Sequence, residues 1–255
     1  MKDIINDFTL KNRNNEGNTP ILNYWGANSE YGVLKDVLLG PVENYRWLKT
    51  SSVSKKTIRR NVEYHLDTAK KQYEEMISAY SSADVKVHKH EPDPELPYQI
   101  FARDSSIMTP FGAIITNMAQ WWRRGENYRA IETYNKLGIP IYDFITAGHF
   151  EGGDFNVIEP GCVLIGWEGE EGRSHFKAAQ QLKQWFEKEE WEVFITDIDP
   201  YYVHIDLMVV MLAEKLAAVC LDCTDPNIVN WLKNKKIKIP PNLVSASRCL
   251  GKTFL

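Results

Sequence analysis

The stretch DFNVIEPGCVLIGWEGEEGRSHFKAAQQLKQWFEKEEWEVFI, residues 154–195, decides how this chain is built. Asp154 to Ile158 and Cys162 to Gly166 are two short apolar runs separated by a Pro-Gly pair at 160–161, the punctuation of a tight turn. His175 to Lys188 follows with apolar residues at three- and four-residue spacing, and Trp191 to Ile195 closes the stretch as a short strand. Strand, turn, strand, amphipathic helix, strand is an α/β unit.

The same order recurs on either side. Upstream, Tyr98 to Phe101 reads as a first strand and Gly112 to Asn117 as a buried one. A helix from Asn127 to Leu137 is stopped by Gly138, and Pro140 to Phe144 closes that unit. Earlier still, Leu34 to Leu39 is a strand, Lys55 to Tyr80 a helix carrying Val62, Leu66, Ala69, Tyr73 and Met76 on one face, and Val85 to His88 a closing strand. Downstream come His204 to Val210, Leu216 to Leu221, a helix from Pro226 to Asn234, and Ile237 to Ile239. About four copies of one unit are therefore legible, preceded by a polar extension over residues 1–29 and forming a single domain over 30–255.

Composition excludes several classes. The net charge is −4 with no long basic run, so neither nucleic acid nor a membrane surface has electrostatic support as a partner. The longest apolar run, Leu207 to Ala213, is too short to span a bilayer, and the polar N-terminus lacks the apolar core of a signal peptide. Four cysteines are too few for a disulfide scaffold of 255 residues. Cys220 and Cys223 form a lone CxxC with no second pair to complete a zinc site, and read as buried, reduced thiols. The expectation is a cytoplasmic protein with no metal and no cofactor: no phosphate loop or dinucleotide fingerprint is present.

The repeats share a chemical phase. Asp104, Glu151 and His204 fall near the starts of successive units, 47 and 53 residues apart, so stacking the units about an axis brings all three to one rim. Singly, Phe101-Ala-Arg-Asp104 reads better as a surface ion pair, Glu151-Gly-Gly-Asp154 as an acidic turn, and His204-Ile-Asp206 as a strand edge. Together they suit a guanidinium ligand, a planar cation that pairs with carboxylates at fixed geometry. Asp104 and Asp206 supply the acids, His204 oriented by Glu151 moves protons, and Gly152 and Gly153 let backbone approach the ligand. Attack on the guanidinium carbon further requires a nucleophile, for which a thiolate is suited.

The motifs Phe101 to Asp104, Glu151 to Asp154 and His204 to Asp206 resemble, in order and spacing, those of the superfamily of arginine deiminases, dimethylarginine dimethylaminohydrolases and amidinotransferases. The likeness runs from about Glu30 to Ile239. It implies a pentein-type α/β-propeller of ββαβ units, about four of five being present. It also implies a hydrolase or amidinotransferase acting on arginine or a related guanidino compound through a covalent cysteine thiouronium. By the resemblance, Asp104 and Asp206 grip the guanidinium with Phe101, Gly152 and Asp154 around it, and Glu151 and His204 form the acid–base pair. Arg173 stands where the family often has an arginine for the substrate carboxylate, though a solvated helix N-terminus fits it as well. The departure lies at the end. Cys249, in Ser-Arg-Cys-Leu-Gly-Lys, lacks the Gly-rich approach of the family's nucleophile and is a weak candidate. Either the chain is truncated, which is the expectation, or Cys249 reaches the site by an unusual shortcut. Truncation leaves an open flank, so the chain is poorly stable or hides it by self-association, and the alternative function is an inactive homologue that at most binds guanidino ligands.

Overall fold

The computed structural model describes residues 25–49, 55, 58–60 and 64–240. The strands and helices run Asp36–Leu39 (β1), Leu66–Ser82 (α1), Lys86–Lys89 (β2), Ser106–Thr109 (β3), Gly112–Ile115 (β4), Glu126–Leu137 (α2), Ile141–Phe144 (β5), Phe155–Glu159 (β6), Cys162–Trp167 (β7), Phe176–Lys188 (α3), Glu192–Asp197 (β8), Val209–Ala213 (β9), Leu216–Val219 (β10) and Pro226–Asn234 (α4). In each of two central sheets a hairpin pairs antiparallel and the strand after the helix returns parallel: β3-β4-β5 and β6-β7-β8. β1 and β2 pair parallel around α1, and β9-β10 is a hairpin that Lys238 joins by a single parallel bridge to Leu216. The fold is thus mixed α/β, built by repetition of a ββαβ unit.

Local chemistry sets the boundaries. Asp225 caps α4 by accepting from the Asn227 amide, with Pro226 in the first turn where its missing N–H costs nothing. Gly138 ends α2 in the left-handed region at φ 68°, which favours glycine. β7 runs between two neighbours and is buried along all but its last residue, which is why it reads as an unbroken apolar run.

Three expectations shift. Tyr98 to Phe101 is a turn, and the first strand of that unit is Ser106–Thr109. Its opening residue is polar yet buried, with Ser106 Oγ 2.6 Å from the Tyr134 hydroxyl, so an apolar pattern misses it. The helix expected over Lys55 to Tyr80 is interrupted: residues 55, 58 and 59 are helical, but His65 is extended (φ −103°, ψ 101°) and α1 starts at Leu66; Val62 lies outside the described residues. In the last unit His204 precedes a turn of 3₁₀ helix, Ile205–Leu207, and the strand begins at Val209.

The apolar cores straddle successive units. Ile107, Phe150, Phe155, Ile165, Leu182 and Phe186 join the second unit to the third, and Ile158, Leu164, Ile205, Val209, Ile228 and Leu232 join the third to the fourth. Two of the three clusters thus join neighbouring units, while the buried residues of the third, Ala113, Ile115, Ala130, Tyr134 and Ile139, all lie in the second unit. No helix among the described residues is long and apolar enough to cross a membrane. Truncating the fully buried Leu182 to alanine is expected to cost about 2–5 kcal/mol of unfolding free energy, measured by chemical denaturation.

Candidate active site

Three turns of 3₁₀ helix, Ala102–Asp104, Gly152–Asp154 and Ile205–Leu207, stand immediately before the first strands of successive units, and the middle one packs against both others. Their alignment revises the repeat phase. Phe101, Glu151 and His204 each occupy the position before the turn, while Asp104 is equivalent to Asp154. The candidate side chains converge because this corner is repeated.

His204 is the centre. Its Nδ1 lies 3.1 Å from Asp154 Oδ2, and its Nε2 lies 3.3 Å from Glu151 Oε2 and 3.5 Å from Asp104 Oδ1. The orienting carboxylate behind the ring is therefore Asp154, with Glu151 and Asp104 across the other nitrogen. Asp154 is fully buried and spends its oxygens inside the protein, on His204, the Ile205 amide (3.0 Å) and the Ser174 hydroxyl. That placement makes it a support for the site, where the sequence suggested contact with the ligand. Backbone geometry aims the ring as well. Val203 sits at φ 70°, ψ −52° and the His204 amide bonds back to Tyr202 O at 2.8 Å, a γ-turn of positive φ. A β-branched residue there stores on the order of 1–3 kcal/mol of strain.

The glycines serve this packing. A Cβ on Gly152 would stand 2.1 Å from the Arg103 carbonyl oxygen, and one on Gly153 would stand 2.6 Å from His204 Cγ. Their missing side chains admit the neighbouring turn and the imidazole, where the sequence suggested an approach to ligand.

Arginines fill much of the remaining space. Arg123, which sequence reading missed, is almost wholly buried. It reaches Asp104 Oδ2 at 2.8 Å, Glu126 through two nitrogens at 2.9 and 2.8 Å, Glu151 Oε2 at 3.4 Å and the Phe101 carbonyl at 3.2 Å. Its guanidinium carbon lies 5.7 Å from the centre of the half-exposed Phe101 ring. The available signal was the Arg123–Glu126 pair at helical spacing within Trp121-Trp-Arg-Arg-Gly-Glu126. Arg173 Nη1 donates to Glu151 Oε2 at 3.1 Å, and its backbone amide donates to Glu168 Oε2 at 2.7 Å. Asp206 stands at the edge, 3.4 Å from Arg103 Nε. Glu168 was also missed; it groups with Asp154 and His204 within 4.8 Å.

Ionisation follows from these contacts. Burial alone would push the His204 imidazolium down, but Asp154, then Glu151 and Asp104, override it and raise the group well above its usual 6.5. Burial likewise opposes the Glu151 carboxylate, yet the His204 hydrogen bond and the Arg123 and Arg173 charges hold it at about 2. Glu151 Oε1 nevertheless remains buried without a hydrogen-bond partner. Burial and the adjacent Asp154 push Glu168 up to about 7. Two sets, Asp104–Glu151–His204 and Asp154–Glu168–His204, bring donor atoms close enough to hold a metal ion, but Arg123 and Arg173 on the first set oppose a further cation there. Of the described cysteines, Cys162 and Cys220 are buried and Cys223 is half-buried; burial pushes the Cys162 thiol up to about 11, away from an activated thiol. Cys249 lies outside the described residues.

A buried imidazole clamped between carboxylates, beside a carboxylate oxygen without a partner, marks this cluster as the candidate site. The chain belongs to the family described as N,N dimethylarginine dimethylhydrolase, eukaryotic, whose model matches residues 48–239. Comparison with curated proteins gives no match. Among solved structures the chain is similar to DDAH from Pseudomonas aeruginosa complexed with citrulline, at 20% identity and a TM-score of 0.66 over 82% of this chain and 77% of that one. It is also similar to SxtG, an amidinotransferase from Microseira wollei, at 18% identity and a TM-score of 0.67 over 85% and 75%. A third similar structure is the N-terminal domain of ArgZ, an arginine dihydrolase from Cyanobacteria, at 16% identity and a TM-score of 0.65 over 83% and 77%. At these identities the likeness is one of fold.

The linked charges give a pH signature. The raised His204 group contributes stability that is full below 6.5 and lost as pH climbs through its elevated folded value. The depressed Glu151 group contributes stability present above 4.5 and lost as pH falls through about 2. Unfolding free energy measured by denaturant titration across pH should therefore decline on the alkaline side, and Asp154→Asn should flatten that decline.

Proposed function

We propose that this protein acts on the guanidino group of arginine or a related small compound, as a hydrolase or an amidinotransferase. The observation that carries the reading is the fully buried Glu151, one oxygen unpartnered, beside the His204 imidazolium. A planar guanidinium is a cation with N–H donors directed to fixed positions, which suits a buried carboxylate edge of this kind. Asp104 and Asp206 receive guanidinium N–H groups, with Phe101 as a wall, and Arg173 holds Glu151 in place. His204, held protonated, is the proton source for the departing amine. Membership of the dimethylarginine family and the fold shared with an amidinotransferase and an arginine dihydrolase support this class.

The covalent step in this reading begins with a cysteine thiolate adding to the guanidinium carbon. The amine leaves with a proton from His204, and water or an acceptor amine then displaces the thiolate from the resulting thiouronium. Cys249 is the candidate thiol. We infer also that the ββαβ units are arranged about a pseudo-symmetry axis as in a pentein-type propeller, a reading supported by the packing of the middle 3₁₀ turn against its two neighbours. A second reading is a protein that binds guanidino compounds without turning them over; the described cysteines set no thiol in its favour or against it, since Cys162 and Cys220 are buried and Cys223 is half-buried.

Incubation with arginine and with N,N-dimethylarginine, with and without an amine acceptor, separates these outcomes. Citrulline signals a deiminase or dimethylaminohydrolase, ornithine an amidino transfer or a dihydrolase, and calorimetric binding without product a binder. His204→Ala should lower turnover by about 100-fold or more; unchanged turnover would remove His204 from the chemistry. A haloacetamidine should alkylate Cys249 ahead of Cys162, Cys220 and Cys223, and equal labelling of all four would rule Cys249 out as nucleophile.

A further inference from the structure

The segment Glu168 to Ser174 leaves β7 and returns to the site as one closed turn. The Glu168 amide donates to the Ser174 carbonyl at 2.9 Å, and the Gly172 amide donates to that of Gly169 at 3.2 Å. From inside the turn, Glu168 Oε2 accepts the Arg173 amide at 2.7 Å. Gly172 makes the room, since a Cβ there would overlap that of Glu168 and stand 2.9 Å from its Oε2. The two residues held at the far end both act on the site. Arg173 Nη1 donates to Glu151 Oε2 at 3.1 Å, while the Ser174 hydroxyl donates to Asp154 and accepts the Glu151 amide at 3.2 Å. Closing a turn does not call for a carboxylate, because a neutral oxygen would take the Arg173 amide without burying a charge. Yet Glu168 brings an oxygen within 4.8 Å of Asp154 and His204, and its Oε1 is buried without a hydrogen-bond partner. A second carboxylate beside Asp154 is costly, and that cost falls at the site.

We propose that Glu168 is a positioning residue for ligand recognition: by gripping the Arg173 amide from inside the turn, it sets the Arg173 guanidinium where the carboxylate of a guanidino compound meets it. This rests on the guanidino reading above and adds a residue that itself touches no ligand. Among the described residues Arg173 bonds through its side chain by Nη1 alone, and that side chain is 27% exposed, so Nε and Nη2 are available to a carboxylate. Burial and Asp154 push Glu168 up to about 7, against the charges of His204 and Arg173. Its grip on the Arg173 amide therefore passes from a neutral to a charge-assisted hydrogen bond as pH rises through neutrality, and the latter is about twice as strong. Glu126, which burial pushes up to about 7 against the Arg123 charge, titrates in the same range. It acts on the guanidinium end of the site, beside Asp104 and Glu151, so a ligand without a carboxylate reports its effect separately.

Calorimetric titration of the full-length protein with arginine and with agmatine, the same guanidino chain without the carboxylate, tests the proposal. Glu168→Ala should weaken arginine binding by at least about tenfold and agmatine binding by less than about twofold. In wild type the ratio of arginine to agmatine affinity should rise from about pH 6 to about pH 8, across the Glu168 value of about 7, and in Glu168→Gln it should stay flat. An equal effect on both ligands, or none on either, overturns the role of Glu168 and leaves the guanidino reading standing. Absence of binding by both ligands to wild type overturns both. Glu168→Gln keeps the shape of the side chain and cannot ionise, so its pH profile decides the matter even if the alanine variant folds poorly.

Discussion

The contact between His204 and Asp154 is the constraint around which the candidate site is organised. An imidazolium buried to this extent would give up its proton without a carboxylate behind it, and Asp154 supplies one through Oδ2 at 3.1 Å. The surrounding backbone is shaped to permit that contact. Gly153 lacks the Cβ that would overlap the ring, Val203 accepts a strained γ-turn to aim it, and the Ile205 amide bonds the second Asp154 oxygen. Protonated His204 in turn holds Glu151 ionised in a place where burial would neutralise it.

Buried ion pairs of this density contribute little net stability, because desolvation offsets most of the attraction. Arg123 therefore reads better as a device for geometry than for stability. Its fork is fixed on Glu126 by two hydrogen bonds, which leaves Nη1 to set the spacing between Asp104 and Glu151. Arg173 approaches the same Glu151 oxygen from the other side, tethered through its backbone to Glu168. One carboxylate oxygen of Glu151 takes bonds from these groups, and the other is buried without a hydrogen-bond partner.

Repetition explains how residues so far apart in the chain arrive together. Each unit presents a 3₁₀ corner before its first strand, and the shared cores between units fix those corners relative to one another. Asn156 donating to the Val209 carbonyl at 2.8 Å ties the third unit to the fourth just beyond the corner.

The sequence by itself determined the ββαβ unit, its repetition, the helix over 226–234 and the set Asp104, Glu151 and His204, because periodicity, turn residues and motif spacing are local and survive in one dimension. It misplaced the first strand of the second unit, since Ser106 is buried through a hydrogen bond to Tyr134 that no local pattern encodes. It paired His204 with Glu151 alone, read Gly152 as making room for the ligand, and left Arg173 open between the substrate carboxylate and a solvated helix N-terminus, because a residue's partner depends on which turns pack together. Only the tertiary structure decided that Asp154 stands behind the imidazole, that Gly153 makes room for it, and that Arg123 and Glu126 occupy the site. Those facts depend on the relative placement of turns some 50 residues apart, and side-chain pairing across such a separation is set by packing between units.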